Sequence, residues 1–143
     1  MAIPASAIGF REAVFSYVLD DGKNVVFAVD RLLAWCKSTR QAVFRIPVDP
    51  KFVAYCQSNR GVEQHRLDQL TFQQCREPLI FCTWYDQSQL LVDGHHRYVK
   101  LGLRGSRWCK GWILKPAQWE PFLVEGLGSL KSSELMKLSS GLF

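Results

Sequence analysis

The chain has no apolar run of the roughly 18 residues that a membrane-spanning helix needs, so no membrane partner is expected. Its start, Met1 to Phe10, has no basic segment ahead of an apolar core. A secretory signal is therefore not expected, and a cytoplasmic location is. The five cysteines (Cys36, Cys56, Cys75, Cys82, Cys109) are odd in number and scattered, without a Cys-x-x-Cys pair. That argues against a disulfide framework or a zinc site and suits reduced thiols. There is no internal repeat and no low-complexity linker. Between Gly94 and Trp119 there is no acidic residue at all.

What the chain does contain suits one packed globular domain: 143 residues, 48% hydrophobic and 13% aromatic. The net charge of +5 is gathered in the second half, in Arg97, Lys100, Arg104, Arg107, Lys110 and Lys115, with Tyr98, Trp108, Trp112 and Trp119 interleaved. Charge for phosphate and rings for stacking suit a nucleotide or single-stranded nucleic acid, and suit equally a solvated face over an aromatic core.

Strands and helices alternate along the chain. Val14–Leu19 and Asn24–Val29 flank a turn at Asp20–Lys23 and read as a hairpin. Asp30 is placed to cap a helix over Arg31–Lys37. Ala42–Ile46 reads as a strand, Asp49-Pro50 opens a helix to about Gln57, and Val62–Cys75 reads as a further helix. Leu79–Tyr85 and Leu90–Val92 are strands, a helix runs from His95 to Gly102 or Gly105, and Trp108–Leu114 is a strand. Pro116 opens a short helix through Trp119 and Phe122. Residues 126–143 read as a flexible tail, with a short helix at Glu134–Leu138. The expected fold is α/β or α+β, a small single domain with a mixed β-sheet and flanking helices.

The most informative stretch is Leu90-Leu91-Val92-Asp93-Gly94-His95-His96-Arg97-Tyr98. An apolar strand stops at a carboxylate, turns on a glycine and opens a helix with two imidazoles and a guanidinium. A helix N-terminus attracts anions through its unpaired N–H groups and its dipole. Around that position Asp93 offers a metal ligand, His95 and His96 offer proton carriers, and Arg97 offers a bidentate phosphate grip. Each also has a plainer role available: Asp93 as helix cap, one histidine turned inward, and Arg97, Lys100 and Arg104 as one solvated helical stripe. His65 reads as a surface residue, and Trp108 and Trp112, four apart in a strand, share a side.

Glu77-Pro78-Leu79-Ile80, the Asp93–Arg97 run and a closing Gly105 together resemble the ParB/sulfiredoxin superfamily over about residues 46–114. The hairpin and helix of residues 1–40 lie outside the resemblance and offer a surface for a homodimer. The resemblance implies a small α/β fold that binds a nucleotide at the strand-to-helix turn, without fixing one function. His95 stands where a sulfiredoxin has its catalytic cysteine, so repair of overoxidised cysteine is not expected. Kinases of small hydroxyl substrates form a second branch. It implies ATP or another nucleotide with Mg²⁺ held by Asp93. Catalysis would involve Asp93, His95, His96 and an upstream carboxylate, Glu63, and phosphate would be held by Gly94, His96, Arg97 and Lys100. The ParB-like branch implies a non-catalytic module, with nucleic acid on Lys100, Arg104, Arg107 and Lys110. An appended helix-turn-helix of usual size is not expected after residue 115. A scaffold for protein contacts is the third possibility. Phosphotransferase or nucleotide hydrolase, nucleic-acid module and scaffold all stay open on the residues alone.

Overall fold

The computed structural model describes residues 3–19 and 21–125; the expected flexible tail and its helix at Glu134–Leu138 lie outside the described residues. The described residues are α+β and divide into two compact units, one formed by those up to Arg40 with those from Lys115 onward, the other Gln41–Leu114.

The first unit joins segments that precede and follow the second unit in sequence. Strand β1 (Ile3–Pro4) leads through a 3₁₀ turn at Ala5–Ala7 to the hairpin β2 (Val14–Val18) and β3 (Asn24–Ala28). The hairpin pairs Val14 with Ala28 and Val18 with Asn24. Helix α1 (Val29–Ser38) follows directly and buries Val29, Leu32 and Cys36, one helical face. Asp30 is not its cap. It lies inside the first turn and accepts a hydrogen bond from the Ala13 amide at 2.9 Å, so it ties the helix to the lead-in of β2. Across the second unit's residues in sequence, α6 (Pro116–Trp119), a 3₁₀ turn at Glu120–Phe122 and β8 (Val124–Glu125) complete this unit. β8 runs parallel to β1, Trp119 packs on Phe27 at 5.6 Å between ring centres, and Phe122 packs on Trp35 at 5.8 Å.

The second unit is a four-stranded mixed sheet in the order β4-β7-β5-β6, formed by β4 (Phe44–Pro47), β5 (Leu79–Thr83), β6 (Gln89–Asp93) and β7 (Trp108–Leu114). β5 and β7 pair in parallel and the other two pairings are antiparallel. Helix α2 (Pro50–Asn59) begins where Asp49 accepts from the Lys51 amide and Pro50 fills the first turn, as the sequence indicates. The helix expected over Val62–Cys75 is instead two, α3 (Gln64–Gln69) and α4 (Phe72–Cys75). Leu70 takes an extended conformation, and Thr71 restarts the chain with a reciprocal capping box to Gln74. The two hydrogen bonds of this one cap favour a restart over a continuous helix at this point. Helix α5 (His95–Leu103) follows β6. The sheet and these helices share a core that includes Val53, Leu67, Leu79, Leu91, Val99 and Cys109.

All five cysteines are free and buried, and burial pushes the thiols of Cys36, Cys56 and Cys109 up to about 11. Among the described residues, no helix is long and apolar enough to cross a membrane.

Candidate functional site

The strand-to-helix turn forms as its sequence requires. Leu90, Leu91 and Val92 are buried in β6, the strand ends at Asp93, and Gly94 takes φ +100° as the residue before α5. Only glycine adopts that conformation without strain. A Cβ on Gly94 would also collide with the Leu79 side chain and crowd the Arg97 guanidinium. The glycine is thus needed by the protein's own packing. Because Gly94 holds the cap position, Asp93 is not the helix cap, and no side chain caps the first turn of α5.

Asp93 and Arg97 are joined instead. Arg97 Nη2 donates to Asp93 Oδ2 at 2.9 Å, and the two side chains are only 15% and 23% exposed. Its Nη1 donates to the carbonyls of Pro78 at 3.2 Å and Glu77 at 3.3 Å. Arg97 therefore clasps the entry of β5 to the exit of β6. Lys100 is committed in the same way, its Nζ donating to the Leu67 carbonyl at 2.7 Å, near the end of α3. The expected stripe of Arg97, Lys100 and Arg104 does not present three solvated cations, since the first two are folded onto backbone carbonyls.

The two histidines differ. His95 is half-buried and hydrogen-bonded to the backbone of Leu91. Burial, then the charges of Arg60 and His96, push its pKa down to about 3. His96 Nε2 accepts the Glu63 amide at 3.1 Å, across 33 residues of chain. Burial lowers its pKa too, helped by Arg66 and His65 and opposed by Glu63. Both imidazoles are therefore neutral at pH 7, and with Nε2 accepting, the His96 proton sits on Nδ1. The Glu63 side chain turns to His65, Oε2 to Nδ1 at 3.6 Å, and His65 is exposed as expected. The fold thus gathers Glu63, His65 and His96 where α5 begins, with Arg60 and Arg66 close enough to act on the imidazoles, while Asp93 is drawn toward Arg97. Among the described residues no group of three or more His, Cys, Asp or Glu is placed to hold a metal ion.

No protein-family model, curated protein or solved structure matches the chain.

A second concavity lies elsewhere in the same unit, a groove of about 650 Å³ whose lining includes Phe44, Arg45, Phe72, Arg76, Trp108 and Lys110. The pairing of β4 with β7 sets Arg45 opposite Lys110. The Arg45 guanidinium lies 4.3 Å from the Trp108 ring centre. Those of Arg104 and Arg76 lie 4.7 and 5.7 Å from the centre of Phe72. Lys110 and Arg104 are therefore associated with this groove. Arg107 is exposed, and its carbonyl accepts the Val48 amide at 2.9 Å. Trp112 is buried, its Nε1 donating to the Gln41 carbonyl at 3.2 Å, so Trp108 alone of the two offers an open ring. Sequence reasoning missed Arg45, Phe72 and Arg76. Arg45 alternates with apolar neighbours in its strand, a weak local signal. Only the chain path brings the other two to it.

Proposed function

We propose that the protein binds a nucleotide by its phosphates at the start of α5 and acts on a phosphoryl group there. The observation that carries this reading is the hydrogen bond from the Glu63 amide to His96 Nε2, which sets Glu63, the one candidate upstream carboxylate in the sequence, beside the start of α5. An uncapped helix start favours an anion through its N–H groups and dipole. Arg60 and Arg66 add positive charge nearby. In this arrangement the first amides of α5 and the Nδ1–H of His96 bind phosphate. Glu63 deprotonates the attacking hydroxyl or water, or holds Mg²⁺ against the phosphates. Asp93 and Arg97 shape the turn. The resemblance of Asp93–Arg97 to the ParB/sulfiredoxin superfamily, which implies a nucleotide at a strand-to-helix turn, supports the same reading.

The test is thermal stability against ATP, ADP, CTP and GTP, each with and without Mg²⁺, followed by phosphate release. A nucleotide at about 100 times its Kd adds roughly 2.7 kcal/mol, several degrees for a chain of this size. One nucleotide is expected to stabilise the wild type. Glu63→Gln is expected to keep that shift and lose turnover, and His96→Asn to weaken the shift. Absence of a shift with every nucleotide, or full turnover in Glu63→Gln, overturns the reading.

A further inference from the structure

We propose that the groove beside β4 and β7 binds single-stranded nucleic acid, with unpaired bases against Trp108 and Phe72 and phosphates on Arg45, Arg76, Arg104 and Lys110. This site is separate from the turn and does not rest on the nucleotide reading.

Three observations converge. The first is exposure: Trp108 is 44% and Phe72 57% accessible, so two large rings remain open in one concavity instead of being packed away. Scattered exposed aromatics are ordinary, whereas rings grouped in a groove mark a recognition surface. The second is how the rings are dressed. Arg45 lies over Trp108, and Arg104 and Arg76 lie near Phe72. A guanidinium held against a ring is pre-organised, and its N–H edge stays available to phosphate oxygens. The third is charge. No Asp or Glu lines the groove, and among the described residues none of these four cations takes part in an ion pair. Lysine and arginine left without carboxylates, in a cavity of about 650 Å³, call for a polyanion.

The rings decide which polyanion. Sulfated sugars and acidic peptides satisfy the cations but bring no flat π-face for Trp108 and Phe72. Duplex DNA offers phosphates but keeps its base faces stacked on one another. Single strands supply both components in alternation, the pattern that cationic grooves with aromatic platforms recognise.

The test is fluorescence anisotropy of labelled single-stranded DNA and RNA of mixed sequence, with the corresponding duplex, heparin and polyglutamate as competitors. Single strands are expected to bind at least ten-fold tighter than duplex. With three to four phosphates neutralised, log K should fall against log salt with a slope of about −2 to −3. Trp108→Ala and Phe72→Ala should each weaken binding about ten-fold. Arg76→Glu with Lys110→Glu should flatten the slope, and Lys37→Glu on α1 should change nothing. Should the double reversal fail to fold, Arg76→Gln with Lys110→Gln reads the same slope. Equal affinity for duplex, equal competition by heparin or polyglutamate, unchanged binding in both aromatic variants, or no binding at low salt each overturns the proposal.

Discussion

Single residues in the second unit carry two jobs at once, and Gly94 shows this most plainly. Its φ of +100° and its contact with Leu79 are independent reasons for lacking a side chain. Gly94→Ala should cost about 2–4 kcal/mol, adding left-handed strain to overpacking, measured as a drop in the denaturant midpoint at constant m. A cost under about 1 kcal/mol would mean that the turn relaxes easily. His95 makes a prediction about pH. Its folded-state pKa of about 3 lies below the 6.5 of a free imidazole, so the native state favours the neutral form. That contribution is complete above pH 6.5 and is lost as pH falls toward 3. Between pH 7 and 5, where carboxylates remain ionised, the loss should be about 2 kcal/mol, and His96 pulls in the same direction. His95→Asn should flatten the decline. An equally steep fall in that variant would assign the acid sensitivity to other groups.

At the scale of elements, α5 is the piece on which the second unit is hung. From four positions it fastens the Glu63 backbone through His96, β6 and the entry of β5 through Arg97, the start of α2 through Tyr98 and α3 through Lys100. Its last turn meets α2 through Gly102, where a Cβ would strike Val53. Helix propensity alone favours alanine there by about 1 kcal/mol, but overpacking against a buried valine outweighs it by roughly 1–3 kcal/mol. Gly102→Ala should therefore destabilise, and Gly102→Ala with Val53→Ala should cost less than the two single changes added together. A strictly additive double mutant would show that the helices separate without strain. This is also where the sequence was legible and where it was not. The strand, glycine and helix around Asp93 could be read because local chemistry dictates them: buried β-formers, a left-handed turn, and amphipathic spacing. The fates of Arg97 and Lys100 could not, because their acceptors are carbonyls about 20 and 33 residues away and any chain carries carbonyls everywhere. Glu63 could be named as a carboxylate but not placed, since its link to His96 runs through its backbone amide. The break at Leu70 was missed because Thr71 and Gln74 look like ordinary polar positions until the capping box closes.

For the whole molecule, the same logic explains why the return of residues 115–125 was not legible. The compact unit Gln41–Leu114 begins just ahead of β4 and ends with β7, which pair with each other. The pairing of β1 with β8 depends on a parallel contact between segments far apart in sequence, for which local sequence holds no signal. The unit 41–114 brings its own ends together. Phe44 pairs with Gly111 and Trp112 bonds to Gln41, so its first and last strands are neighbours. It also has its own buried core. Units with adjacent termini and a separate core commonly fold alone, although one this small buries only about 60% of its unfolded surface and has little stability to spare. A fragment of residues 41–114 should therefore show one cooperative thermal transition and dispersed amide resonances, at a melting temperature below that of the full chain. Because every groove residue from Val43 to Lys110 lies within it, the folded fragment should also bind single-stranded oligonucleotide with the salt slope of the full chain. A fragment with collapsed resonances and no cooperative transition would show that the sheet needs the flanking unit to fold. A folded fragment that does not bind would place the determinants of nucleic-acid recognition outside residues 41–114.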